Sequence, residues 1–247
     1  VRQVLPSPVD DVDPFAAHAT AERPAPAGRP WVALNMVASL DGATAVAGRS
    51  GELGGAADRR VFSALRAAVD VILVAAGTVR AEGYGPPKTP PAQQEARRAR
   101  GQTSFPRIAI VSRSLDLDPT TPLFTEAAEP PIVLTDASAL AAAPGALASA
   151  AELHAVGDDG VDLHLALALL AELGHRTVLC EGGPTLNGQL LVAGLVDEID
   201  LTTSPLLVGG SSHRVAVGPD EAPTRLRLAH LWHDPDEDLL LARYVRP

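Results

Sequence analysis

The sequence predicts an α/β fold: a mixed, mostly parallel central sheet flanked by helices, with antiparallel strands toward the C-terminal end. Three observations carry this. Short apolar runs, among them Trp31–Ala38 and Val71–Ala76, read as strands covered on both faces rather than as the alternating pattern of half-exposed ones. Amphipathic helical stretches separate these runs. The C-terminal part instead offers strand-like segments in succession, at 198–208, 225–232 and 238–245, and short connections between neighbours imply antiparallel pairing.

With 247 residues and 46% hydrophobic content, one large domain is expected over residues 31–247, preceded by an arm over 1–30. The arm is rich in Pro, Asp and Ala and is expected to lie on the surface with a single helical turn. The first buried strand starts at Trp31 and is broken by Ser39-Leu40-Asp41-Gly42. Ala57 to Val69 then places Val61, Phe62, Leu65 and Ala68 on one helical face. Val71–Ala76 is the next strand, ended by Gly77-Thr78, and Arg107–Val111, Pro131–Thr135 and Leu153–Val156 continue the series. Between them, Arg97-Arg98-Ala99-Arg100 reads as a solvated helix face. Val161 to Leu173 is a helix closed by Gly174.

That helix leads into the stretch on which the sheet is centred, Val178-Leu179-Cys180-Glu181-Gly182-Gly183-Pro184-Thr185-Leu186-Asn187. A strand ends, two glycines turn the backbone, and Pro184 opens a helix. The free N–H groups of a first helical turn suit an anion, phosphate above all. Glu181, at the strand end, is placed to accept hydrogen bonds from the hydroxyl or amine groups of a second ligand.

Composition excludes several classes of function. A net charge of -10 argues against a nucleic-acid or acidic-membrane partner. The single cysteine, Cys180, allows neither an intramolecular disulfide nor a cysteine zinc cluster, so a reduced, cytoplasmic setting is expected. No window approaches the length of a membrane span. The dinucleotide Gly-x-Gly-x-x-Gly fingerprint, the P-loop and the Gly-x-Ser-x-Gly elbow are all missing. His230 and His233 have helix-face spacing but lie in a strand, so no metal site is expected.

What remains is a set of polar residues just past strand ends, where α/β sheets bind ligands: Ser39 and Asp41, Thr78 and Glu82, Ser112 and Arg113, and Glu181 through Thr185. Arg113 has the planar fork suited to a ribose 2′-phosphate, which favours NADPH over NADH.

Ser39-Leu40-Asp41-Gly42, Leu65-Arg66 ahead of Asp70–Val74, Gly77-Thr78-Val79-Arg80-Ala81-Glu82 and Glu181-Gly182-Gly183-Pro184-Thr185-Leu186 occur in this order. Together they resemble the C-terminal reductase domain of the bifunctional riboflavin-biosynthesis deaminase-reductase. The resemblance runs from about Trp31 to the end and, with no deaminase domain ahead of it, points to a stand-alone form. It implies a dihydrofolate-reductase-like fold, a homodimer and NADPH as hydride donor. The implied substrate is a ribosylamino-pyrimidine 5′-phosphate, whose ring-opened ribose is reduced at C1′ to a ribityl chain. Val37, Glu52, Thr78, Glu82 and the turn from Gly182 and Gly183 through Pro184, Thr185, Leu186 and Asn187 to Gln189 are the implied cofactor contacts. Ser112-Arg113 is similar to the adenosine-phosphate turn. Ser50, Arg66 and Glu181 resemble substrate-binding positions, Arg66 gripping the sugar phosphate bidentately. Asp41 and Glu181 are the candidate catalytic residues, Asp41 as a proton donor or a substrate-orienting acid.

Three departures fall mainly on the substrate side: Glu82 replaces an aspartate, Gly83–Thr89 lacks the phosphate arginine common there, and Gly51-Glu52-Leu53 replaces an aromatic wall. They leave two rival expectations open, a dihydrofolate or other pteridine reductase on the same fold, and a non-catalytic NADPH-binding protein.

Overall fold

Local pattern and long-range pairing together set the architecture of the computed structural model, which describes residues 1–247. In chain order the elements begin β1 (Arg2–Leu5), α1 (Pro14–Thr20), β2 (Trp31–Ser39), α2 (Ala56–Ala68), β3 (Val71–Ala75), α3 (Ala76–Glu82), α4 (Pro91–Ala99), β4 (Arg107–Val111) and α5 (Pro122–Thr125). They continue with β5 (Ile132–Thr135), α6 (Ala137–Ala141), α7 (Gly145–Ala150), β6 (Glu152–Ala155), α8 (Leu163–Glu172), β7 (Thr177–Cys180) and α9 (Pro184–Val192). The chain closes with β8 (Glu198–Ser204), β9 (Arg227–Asp234) and β10 (Leu239–Val245). One sheet takes all the strands in the order β1-β9-β10-β8-β2-β7-β3-β4-β5-β6. From β8 to β6 every pair is parallel; β8, β10, β9 and β1 pair antiparallel.

The strand period of two sorts side chains between two layers. Val32, Leu34, Val178 and Cys180 pack on one face against Leu163 and Leu167 of α8 and Leu186 and Leu190 of α9. Ala33 and Leu179 face the other way, onto Val61 and Leu65 of α2. Glu181 continues that alternation one step past β7 and so falls on the α2 side.

Four sequence expectations change. The arm is more than a surface wrap: β1 is an edge strand on β9, and α1 is a two-turn helix capped by Asp13. It is tied down by Glu198, which is fully buried and accepts from Arg23, Arg243 and the Trp31 indole. Burial alone would raise the Glu198 pKa, but Arg23 and Arg243 hold it well below the usual carboxylate range. Secondly, β8 stops at Ser204, because Pro205 brings no ladder N–H, and a long connection over 205–226 replaces the short one expected. Thirdly, Arg97 is fully buried rather than solvated. Its guanidinium donates to the carbonyls of Arg66, Ala67 and Val69, the unsatisfied C-terminal end of α2, where positive charge is favoured. Fourthly, His230 is neither a lone surface nor a lone core histidine: it stacks on Trp232 at 4.0 Å and, with His18 and Asp200, forms one compact group.

Candidate active site

A cleft of about 970 Å³ opens at the carboxyl ends of β2, β3 and β7. That is near the upper end of small-molecule sites and leaves room for two ligands side by side. One wall is the turn from β7 into α9. Gly182 has φ +85°, a conformation that strains any side chain, and a Cβ on Gly183 would come within 2.8 Å of the Thr78 hydroxyl. Two backbone turns are thereby pressed together, and the first turn of α9 presents its N–H groups beside Gly77 and Thr78. Val37, Thr78, Glu82, Gly183 and Pro184 line this cleft. Glu82 also accepts from the Ser50 amide at 3.1 Å, fastening the loop after β2 to α3.

The opposite wall belongs to α2. Arg66 reaches Glu181 through Nε at 2.8 Å and Nη2 at 2.7 Å, and the Tyr84 hydroxyl donates to the same carboxylate at 2.6 Å. The guanidinium carbon lies 4.1 Å from the Phe62 ring centre and 5.5 Å from that of Tyr84. Burial pushes the Tyr84 phenol well above its ordinary pKa, and the Glu181 charge adds to this, so Tyr84 is a donor throughout the working range. Burial opposes the charged form of Arg66, but Glu181 outweighs it and raises its pKa. Glu181 commits both oxygens to these partners, so it positions Arg66 and Tyr84. The side edge of Arg66 is spent on that pair, and the end edge, Nη1 with the second Nη2 hydrogen, remains for an anion.

The other predicted residues divide by position. Asp41 does not line the cleft. It accepts from the Ser39 hydroxyl at 2.5 Å, the Val208 amide at 3.1 Å and the Gly209 amide at 2.7 Å. The serine bond and then the amide bonds lower its pKa to about 2. So held, and outside the lining, Asp41 anchors the loop at 208–210, which does line the cleft. Glu52 and Thr185 are exposed outside the lining. Leu186 and Asn187 are buried outside the lining, one in the core and the other donating its side-chain amide to the Val215 carbonyl and its backbone N–H to the Gly183 carbonyl. Ser112 is buried, its hydroxyl accepting from Leu115, and Arg113 is exposed at the end of β4; neither lines the cleft. Sequence reading missed Asn35, Asp58, Phe62, Tyr84 and the loop 208–213, all of them in the lining. The glycine pair and serine pair of Gly209-Gly210-Ser211-Ser212 was the available signal for the last.

A parallel α/β sheet carrying a glycine-turned helix N-terminus at its ligand edge, with a clamped arginine across the cleft, has the architecture of the dihydrofolate-reductase-like class. The family model described as the RibD C-terminal domain matches residues 30–240, and the chain belongs to that family. It is 34% identical over 203 residues to the 2,5-diamino-6-ribosylamino-4(3H)-pyrimidinone 5′-phosphate reductase of Methanothermobacter thermautotrophicus, a match spanning 81% of this chain and 90% of the relative. Among solved structures it is similar to a pyrimidine reductase-like protein of Corynebacterium diphtheriae, with TM-score 0.79, 26% identity and coverage of 87% and 91% of the two chains. The fold is shared with the deaminase and 5-amino-6-(5-phosphoribosylamino)uracil reductase of Thermotoga maritima, at TM-score 0.68 and 22% identity, over 89% of this chain and 57% of that one. The protein is an oxidoreductase acting on a small molecule with a nicotinamide cofactor. No helix is long and apolar enough to cross a membrane.

Proposed function

We propose that this protein reduces a ribosylamino-pyrimidinone 5′-phosphate to its ribityl counterpart in riboflavin biosynthesis, with NADPH as the hydride donor. The observation that carries the reading is the pairing, within one cleft, of a backbone cradle at Gly183 and Thr78 with a half-committed Arg66 on the facing wall.

The donor set fits a dinucleotide. The first turn of α9 offers backbone N–H groups to a diphosphate, and a side chain at Gly183 would collide with Thr78. Arg113 at the end of β4 is the candidate for the 2′-phosphate. When bound, NADPH supplies a hydride from C4 of its nicotinamide. The chain's own part is to hold the acceptor carbon C1′ near it and exclude water. Arg66, stacked on Phe62 and fixed by Glu181, takes the sugar phosphate through its free edge. Ser50, whose amide is held by Glu82, lines the same cleft. We further infer a homodimer, supported by the exposed Leu40, Leu206 and Leu207, and a reduced cytoplasmic setting, supported by the buried free thiol of Cys180.

Arg66→Ala tests the phosphate grip. A lost charge-assisted contact of about 2–3 kcal/mol raises the pyrimidine KM roughly 30- to 150-fold, with NADPH affinity unchanged. On the dephosphorylated substrate the same substitution should change KM little. An equal effect on both substrates would assign Arg66 to wall structure alone.

A further inference from the structure

The cleft contains a carboxylate that neither the family resemblance nor the glycine turn accounts for. Asp58 stands in the first turn of α2, half-buried, and lines the same cleft as Arg66. The other nearby carboxylates are committed: Glu181 to Arg66 and Tyr84, Glu82 to the Ser50 amide, Asp41 to the loop at 208–210. Asp58 hydrogen-bonds no backbone N–H and no guanidinium. Burial raises its pKa, and the nearby Glu237 adds to this, while the Thr202 hydroxyl and the Arg59 charge favour ionisation. A half-buried acceptor with spare lone pairs, facing a ligand cleft, is open to donors that a ligand brings. Its seat is shaped for it as well: a Cβ on Gly54 would overlap the Asp58 Oδ2 atom, so the carboxylate reaches over a glycine through that oxygen.

A carboxylate offers two coplanar acceptors, and its complement is a pair of adjacent donors. A 2-amino-pyrimidin-4(3H)-one ring has that pair on one edge, the N3–H and one hydrogen of the 2-amino group. A uracil ring has a single N3–H between two carbonyl oxygens, which would face the carboxylate lone pair to lone pair. We infer that Asp58 is the residue that selects a 2-amino-4-oxo-pyrimidine over the corresponding uracil. The inference rests on the pyrimidine reductase reading and narrows it to one of the two ring types, the one named for the Methanothermobacter relative rather than that named for the Thermotoga enzyme. Asp58 is a specificity residue here; it takes no part in transferring the hydride.

The test compares wild type, Asp58→Asn and Gly54→Ala on two substrates, the 2,5-diamino-pyrimidinone ribosylamino 5′-phosphate and its 2-oxo (uracil) counterpart. Calorimetric binding of the free bases, 2,5,6-triaminopyrimidin-4-one and 5,6-diaminouracil, is measured without cofactor. Wild type should favour the 2-amino compound by about 100-fold or more in kcat/KM, the discrimination expected where a mispaired polar group is left in the site. Asparagine presents one donor and one acceptor, the complement of a uracil edge, so Asp58→Asn should lower the preference below about tenfold and move base binding toward the diaminouracil. Gly54→Ala, which displaces the carboxylate without removing it, should weaken the preference in the same direction. NADPH affinity should stay within about twofold in both variants, since neither residue belongs to the α9 cradle. Parallel loss on both substrates, or equal use of both by wild type, would overturn the inference while leaving the reductase reading intact. If wild type neither turns over either phosphate nor binds either base, both readings fall together.

Discussion

Asp41 shows how one carboxylate's partners decide its role. Its three donors stabilise the ionised form, and a folded-state pKa of about 2 against the ordinary 3.8 means that this stabilisation is present above pH 3.8. It is lost only as pH falls through about 2. Asp41→Asn leaves a single acceptor for the Ser39, Val208 and Gly209 donors. The expected result is faster amide hydrogen exchange at Val208 and Gly209, a pyrimidine KM a few-fold higher, and no change in the pH–rate profile above pH 3. Abolished kcat together with loss of a titration limb near neutrality would instead restore a proton-donor role. The Ser39–Gly42 stretch was legible as a break after a strand, but two of the three donors to Asp41, the Val208 and Gly209 amides, lie more than 160 residues away in sequence, beyond what a local pattern encodes. Glu181 is a similar case. Its place at a strand end could be read, whereas its commitment to Arg66 and Tyr84 required three distant segments to meet.

At the scale of elements, α2 carries much of the substrate wall, with Asp58, Phe62 and Arg66 on consecutive turns. Its C-terminal carbonyls are satisfied by side chains from the following segment: Arg97, Arg100 and Gln102. Burial lowers the Arg97 pKa to about 10, still charged at neutral pH. Arg97→Met keeps the volume but leaves buried carbonyls unpaired, at a cost of roughly 2–3 kcal/mol, or about 5–10 °C in Tm for a chain of this size. A fall in kcat/KM should accompany it as α2 loosens. An unchanged Tm would show that the carbonyls find other donors. A run of Arg-Arg-Ala-Arg looks the same whether it meets water or a helix end, which explains the misreading of this run. Elements with strong local signals fared better. The helix expected from Ala57 is α2, displaced by one residue, and the turn Glu181-Gly182-Gly183-Pro184 leads from β7 into α9 as its glycines and proline specify. By contrast β1, four residues long, exists only through pairing with β9 at the far end of the chain.

Across the whole molecule, topology converts these pieces into one site. β2, β7 and β3 are neighbours in the sheet although β7 lies more than a hundred residues from either in sequence, and this brings Val37, Thr78, Glu181 and Gly183 to one edge. The parallel order was foreseeable from alternating strands and helices. The long connection over 205–226 was not, because its residues carry neither period; yet Val208 to His213 close one side of the cleft. The central claim is hydride delivery to the sugar carbon of a pyrimidine phosphate held in that cleft. The most direct test is turnover of the diamino-pyrimidinone ribosylamino 5′-phosphate with NADPH deuterated at C4, each C4 epimer in turn, followed by NMR of the product. The account predicts one deuterium at C1′ of a ribityl chain, from one epimer only, and no oxidation of the cofactor when dihydrofolate is offered instead. Deuterium on a pteridine or pyrimidine ring, or binding of NADPH with no transfer at all, would contradict it.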